Sequence, residues 1–223
     1  MEARLSSETD IAGFREEARS LLAHQVPPED VHWQTAQNAD LFATAPAAEG
    51  RAAGRHVPRA AAAIVPASFL RLCEIVVLHS DPQRFALLYR LLWRLVHEPG
   101  LRNDPVDADM LAAQQLAQAV KRDLHKMKAF LRFRPVEDDE HPGSPLHVAW
   151  FEPAHHIMEA AAPWFVRRFA QMRWAILTPE RSVRWDGQQL HYGPGADHCD
   201  APPADSGEQL WLTYYHAIFT PRG

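Results

Sequence analysis

Apolar residues recur every three or four positions along several segments of the chain, which is the spacing of one buried face of an α-helix. Aspartate-proline pairs at 81–82 and 104–105 are typical helix starts, because the acid caps free amide groups and proline suits the first helical position. Asp10 supplies a similar cap nearer the amino terminus. The patterns predict helices over residues 10–24 and 66–79, two that begin after residues 81 and 104, two over 155–161 and 163–172, and a closing helix that includes residues 210–218.

Other segments alternate apolar and polar side chains, which is the spacing of a strand with one buried face. Residues 131–134 alternate in this way, and an acidic turn at 137–140 separates them from the short aromatic segment 147–152. Further strands are predicted around residues 31–33 and 174–177, and a hairpin around Asp186-Gly187. The predicted fold class is α+β, mainly helical with a small antiparallel sheet.

Residues 44–64 are rich in alanine, glycine, proline and arginine and show no amphipathic period, which indicates a linker or a partly ordered loop. We expect this stretch to separate a small N-terminal extension, residues 1–43, from a main domain, residues 65–223. With 223 residues, 47% of them hydrophobic, the chain is long and apolar enough for a sizeable core.

The expected compartment is the cytoplasm. No stretch resembles a membrane span, because the apolar runs are short or broken by arginine. The first ten residues, MEARLSSETD, contain no apolar run and do not resemble a secretory signal. Cys73 and Cys199 lie in unrelated contexts, so reduced thiols are expected rather than a disulfide framework.

The net charge of −5 argues against a general nucleic-acid binder of the histone type, but one segment is basic. On a helix, Lys121, His125 and Lys128 share one edge. Such an edge suits a phosphate backbone, because each neutralised phosphate releases counterions. The alternative is a solvated face beside the core. The candidate nucleic-acid-binding residues of this segment are Lys121, Arg122, Lys126, Lys128, Arg132 and Arg134.

Residues 163–174 interleave aromatic residues with arginines, a composition that suits stacking on unpaired bases and clamping of phosphates. Core packing is the commoner role for the aromatic residues of such a segment. Arg167 and Arg168 are therefore the informative residues, and they join the candidate nucleic-acid-binding set.

Residues 150–160 concentrate carboxylates and imidazoles. This spacing is compatible with a metal site or with a polar pocket. The structural alternative is that Glu152 caps the following helix or pairs with an arginine, while the histidines line a pocket wall. No metal site is predicted, because a single such element lacks the second Glu-x-x-His helix of di-iron proteins and the His-Glu-x-x-His motif of zinc proteases. The candidate acid and base residues for catalysis are Asp123, His125, Glu152, His155 and His156.

Common cofactor motifs do not occur in the sequence. It contains no glycine-rich phosphate loop, no dinucleotide fingerprint, no nucleophile elbow, no Cys-x-x-Cys pair and no His-x-Glu deaminase signature. The sequence therefore predicts no cofactor.

Six long runs carry a family resemblance. They are RFALLYRLLWRL (84–95), VKRDLHKMKAFLRFR (120–134), VAWFEPAHHI (148–157), APWFVRRFAQMRWAILTP (162–179), WDGQQLHYGPG (185–195) and LWLTYYHAIF (210–219). In this order they resemble the uncharacterised, SAM-associated domain of probable DNA metabolism proteins (DUF4130-type). The earlier segment FREEARSLLAHQVPPEDVHW resembles the extension of members fused to a UdgX-type uracil-DNA-binding domain.

The resemblance implies a bacterial protein of DNA metabolism whose partners are DNA and a uracil-DNA-binding or radical SAM protein. It carries over no activity and no catalytic residue. Related chains continue after the last helix with an Asn-Pro-Ala-Arg-like tail, whereas this sequence reads Phe219 to Gly223 and stops. We therefore expect the uracil-linked chemistry of fused relatives not to belong to this chain.

Three functions stay open from the sequence. The first is a DNA-binding accessory module that positions damaged or modified DNA for a separate enzyme. The second is a DNA repair or base-modifying enzyme that uses the Glu/His segment. The third is a protein-interaction scaffold whose exposed aromatic residues dock a partner. The first is the expected one, with residues 121–134 as the DNA-facing edge.

Overall fold

The computed structural model describes residues 1–35, 65–104, 106–137, 143–197 and 208–219. The helices of this part are α1 (Ile11–Ala23), α2 (Ala67–Val76), α3 (Arg84–His97), α4 (Ala108–Phe130), α5 (Met158–Arg168) and α6 (Glu208–Phe219). The strands are β1 (Glu2–Leu5), β2 (His32–Thr35), β3 (Arg134–Val136), β4 (Leu146–Trp150), β5 (Arg173–Leu177), β6 (Arg181–Trp185) and β7 (Leu190–Pro194). The chain divides into two compact units, Met1–Val120 and Lys121–Gly223.

In the first unit, α1 and a two-stranded parallel sheet share one core with α2 and α3. Asp10 caps α1 as predicted, since its carboxylate accepts the Gly13 amide at 2.7 Å. Phe14 and Phe85 join α1 to α3, with ring centroids 5.7 Å apart. Cys73 of α2 lies in the same core, and burial raises the pKa of its thiol to about 12. This cysteine is therefore a packing residue.

A buried ion pair also belongs to this unit. The Arg84 side chain is 1% exposed, and its guanidinium donates to the Glu8 carboxylate at 2.5 Å. It donates further to the backbone carbonyls of Val77 and Asp81, each at 2.9 Å. The guanidinium thus ties the residues between β1 and α1 to the start of α3, and each of its three nitrogens donates at least one hydrogen bond.

The second unit is built on a sheet in the order β3-β4-β5-β6-β7. α5 connects β4 to β5, which are parallel, whereas the other three pairings are antiparallel. The β6–β7 hairpin turns at Gly187, whose φ of +101° is available to glycine at little cost. On one face of the sheet, Trp211 and Tyr215 of α6 pack into a cluster with strand residues.

The predicted mainly helical α+β fold is confirmed, and its larger sheet is mixed because of the parallel β4–β5 pair. The prediction of two helices over 155–161 and 163–172 is wrong, since α5 continues through Pro163. Glu159 and Pro163 are both exposed, so water can replace the amide donor that Pro163 does not supply to the Glu159 carbonyl. β1 was not predicted, because four residues hold too little alternation to stand out.

Several predictions fall outside the described residues. They are the linker at 44–64, most of the acidic turn, and Cys199. The division into residues 1–43 and 65–223 therefore stays a prediction. Within the described ranges, no helix has both the length and the apolar character needed to cross a bilayer.

Candidate nucleic-acid interface

The predicted basic residues of segment 121–134 lie along the second half of α4 and just beyond it. The opposite side of this helix is buried through Val120, Asp123 and Met127, which follow helical spacing and are at most 7% exposed. Lys128 is half-buried. The exposed basic residues are Lys121, Arg122, Lys126, Arg132 and Arg134.

Lys128 connects α4 with α5. Its Nζ lies 5.7 Å from the centroid of the Trp164 ring, within cation–π distance. Trp164 stands about one turn before Arg167 and Arg168, both exposed in the last turn of α5. The cations of the two predicted basic segments therefore lie on neighbouring elements.

A cluster of four aromatic rings also connects the α4–β3 junction with α5. The Phe133 centroid lies between 5.4 and 6.2 Å from the centroids of its three partners, Phe165, Phe169 and Trp174. Its chain neighbours Arg132 and Arg134 are exposed. The Arg168 guanidinium lies 5.3 Å from the Phe169 centroid, which adds a cation to the rim of this cluster. Sequence-distant cations thus meet around a shared aromatic core.

We call these cations the basic surface. It comprises Lys121, Arg122, Lys126, Lys128, Arg132, Arg134, Arg167 and Arg168. Among the residues that the structure describes, none of the eight forms an ion pair with a carboxylate. Several arginines elsewhere are matched: Arg90 pairs with Asp109 at 2.8 Å, and Arg181 pairs with Glu159 at 2.7 Å. The positive charge of the basic surface is therefore not offset by such pairs, although the whole chain is acidic.

Arg132 differs from the other basic residues in its contacts. Its Nη1 donates to the backbone carbonyls of Ala129 and Leu131, both at 3.0 Å. These carbonyls lie at the end of α4, where a cation also interacts favourably with the helix dipole. Replacing Arg132 would therefore disturb the helix end as well as the charge.

The predicted Glu/His segment meets α4 at Asp123. The Asp123 side chain is 7% exposed, and its carboxylate accepts the backbone amide of His155 at 3.0 Å. Burial lowers the pKa of the His155 imidazole; Asp123 opposes this shift, while His156 and Arg122 add to it. His155 is therefore held neutral near pH 7, beside the basic surface at Arg122.

His156 has a partner that the sequence did not indicate. Its Nδ1 lies 2.7 Å from both carboxylate oxygens of Glu180. The contact arises because parallel β4 and β5 end at the same edge of the sheet, so the loops after Trp150 and Leu177 are adjacent. Gly195 packs against the second loop, where an added Cβ would lie 1.9 Å from the Pro179 carbonyl oxygen. Only a glycine fits this close approach without movement of the backbone.

The remaining candidate residues lie apart from this contact. Glu152 accepts the indole N–H of Trp150 at 2.9 Å. His125 is on the exposed side of α4, with Lys121 one turn before it. Within the described ranges, no three His, Cys, Asp or Glu side chains are grouped closely enough to hold a metal ion.

This part of the chain is an α+β domain with a basic surface. It combines a mixed sheet and its crossover helix with a long helix whose cations have no carboxylate partner among the described residues. The family model of a domain of unknown function, DUF4130, matches residues 82–222, and the chain belongs to this family. The match begins just before α3 and includes every residue of the basic surface. Neither the comparison with curated proteins nor the comparison with solved structures gives a match.

Proposed function

We propose that this protein is a DNA-binding accessory module, and that the basic surface contacts the phosphate backbone. The observation that carries this proposal is the set of eight cations on α4, α5, β3 and the α4–β3 connection, which have no carboxylate partner among the described residues. Cations held this way release condensed counterions when they meet phosphates, and that release supplies affinity which falls as salt rises. The resemblance to a domain of DNA metabolism proteins is the reason for proposing DNA as the polyanion.

The module would act with a separate enzyme. The resemblance to members fused to a uracil-DNA-binding domain, and to members associated with radical SAM proteins, supports these two classes of partner. In this proposal the basic surface holds the DNA and the partner carries out the chemistry. The neutral His155 and the His156–Glu180 pair would border the bound backbone at Arg122.

The proposal is tested by removing charge from side chains that do not pack against the rest of the protein. Lys121, Lys126 and Arg134 are exposed and support no described contact, unlike Lys128 and Arg132. Replacing all three by alanine is expected to weaken DNA binding and to reduce the slope of log K against log salt concentration. The slope should fall by about 0.7 to 0.9 for each phosphate that the variant no longer neutralises. Fluorescence anisotropy of a labelled oligonucleotide over a salt series measures both quantities.

A matched control removes the same charge elsewhere. Arg4, Arg19 and Arg71 are exposed in the first unit, and their replacement by alanine likewise lowers the net charge of −5 by three. The control should keep most of the wild-type affinity and slope. Equal losses of affinity in the two triple variants, or an unchanged slope in the first, would contradict DNA binding at the basic surface.

A second function is favoured by the His156–Glu180 contact. A carboxylate that accepts the Nδ1 proton of an imidazole fixes the tautomer whose Nε2 carries the lone pair, as in general bases. The second proposal is therefore a DNA repair or base-modifying enzyme in which His156 moves a proton and Glu180 orients the His156 ring. Glu180 would be a positioning residue.

Turnover assays on uracil-containing and abasic DNA test the enzyme proposal. If wild type turns over either substrate, His156→Ala is expected to lower the rate by about 100-fold or more, the usual contribution of a general base. Glu180→Gln should lower it less and shift its pH profile. His32→Ala, a change at an exposed histidine of β2 in the first unit, serves as the control and should leave the rate unchanged. Absence of turnover in wild type, or equal rates in His156→Ala and His32→Ala, would reject the enzyme proposal.

A further inference from the structure

Phe130 is an exposed aromatic residue beside the basic surface. It is the last residue of α4, and it is 66% exposed. No other phenylalanine or tryptophan of the described residues is as exposed, and Phe130 makes no ring contact with any of them. By contrast, the rings of Trp164 and Tyr192 each lie next to a cation. The ring of Phe130 is therefore open to a ligand.

A single exposed apolar residue is ordinary on a protein surface, so the position of Phe130 is what matters. Arg122, Lys126 and Phe130 are four residues apart, which places them in one row along α4 with a rise of about 6 Å between successive members. All three are exposed, and the two cations have no carboxylate partner among the described residues. The row therefore places two cations that can bind phosphates next to one exposed aromatic ring.

We propose that this row binds single-stranded DNA, with phosphates on Arg122 and Lys126 and an unpaired base stacked on Phe130. The inference rests on the proposed DNA-binding function and names its substrate class. In a duplex each base is stacked between its neighbours, so a surface ring has no access to a base face. In a single strand every base has an open face, and a ring beside a basic track is the usual platform for it.

The charges around Phe130 also favour a nucleic acid over a protein partner. The centre of a protein interface is depleted in charged residues and rich in apolar ones. Phe130 instead has Lys126 one turn before it and Arg132 two residues after it, with exposed Ala129 as its chain neighbour. A polyanion that also presents aromatic faces fits this composition.

The test separates bases from backbone. Anisotropy is measured with two labelled strands of equal length, oligo-deoxythymidine and an abasic strand with the same sugar-phosphate backbone. Wild type is expected to bind the thymidine strand about tenfold more tightly than the abasic strand. Phe130→Ala should lose this preference and keep the salt slope of wild type. Phe130→Trp should restore the preference, which shows that the loss is not a folding defect.

Leu111→Ala is the matched control, because Leu111 is an exposed apolar residue on the same helix but outside the basic segment. It should keep the preference for thymidine. If Phe130→Ala binds both strands as wild type does, or if wild type prefers a duplex of the same length, base stacking on Phe130 is refuted while DNA binding stands. If wild type binds no DNA of any kind at low salt, the proposed function fails and this inference fails with it.

Discussion

Replacing Arg84 by alanine is expected to lower the free energy of unfolding by about 3–5 kcal/mol, because it leaves the Glu8 carboxylate buried without its counter-ion. The two side chains are 1% and 7% exposed, so water cannot replace the missing guanidinium. The change also removes the hydrogen bonds that Arg84 donates to the backbone carbonyls of Val77 and Asp81. A decrease of this size is a large fraction of the total stability of about 5–15 kcal/mol expected for a domain.

Unfolding in guanidinium chloride, followed by circular dichroism, measures the effect as a decrease in the denaturant concentration at the midpoint of the transition. Arg90→Ala is the control on the same helix, since Arg90 forms a pair with Asp109 but its side chain is 47% exposed. Exposed pairs contribute about 0–1 kcal/mol, so its midpoint should move little. Similar midpoints for the two variants would mean that the buried pair is not a main support of this unit.

The second large effect is expected at Phe165. Its side chain is 1% exposed and its ring contacts those of Phe133, Trp164, Phe169 and Trp174. Replacement by alanine removes the centre of the cluster and leaves a cavity, which lowers the free energy of unfolding by about 3–5 kcal/mol. Since the cluster holds α5 against the start of β3, the change should also reduce DNA binding although no charge is removed.

Phe165→Leu tests whether the loss of stability depends on the volume that is removed. Leucine keeps most of the apolar volume, so its decrease in stability should be clearly smaller than that of alanine. Thermal unfolding and the anisotropy titration are made on the same samples, at a temperature where both variants are folded. If Phe165→Ala unfolds at the wild-type midpoint, the aromatic cluster is not what joins the two basic elements.

Much of the fold follows from local sequence signals. Asp10 before α1 and the alternation around Asp186-Gly187 predict elements that the structure contains, since caps and tight turns depend on residues a few positions apart. The same locality explains the error at Pro163. A proline inside a helical pattern indicates a break, and only the exposure of that side of α5 lets the helix continue.

The candidate site was predictable in composition but not in arrangement. The basic residues of α4 stand out by charge, and the Glu/His segment by its residue types. Glu180 did not stand out, because its proximity to His156 depends on the parallel pairing of β4 and β5. Phe130 did not stand out either, since a phenylalanine next to the apolar stripe of a helix has the pattern of a core residue.

The sequence by itself determined which residues carry charge and where several of the helices begin. It also indicated the family, through the runs from residue 84 onward that resemble its domain. The tertiary structure decided that Lys128 meets Trp164, that Asp123 holds His155, and that the cations of α4 and α5 have no carboxylate partner within the described ranges. The reason is physical. Charge and capping are properties of a residue and its nearest neighbours, whereas pairing and exposure depend on which distant segments the fold packs together.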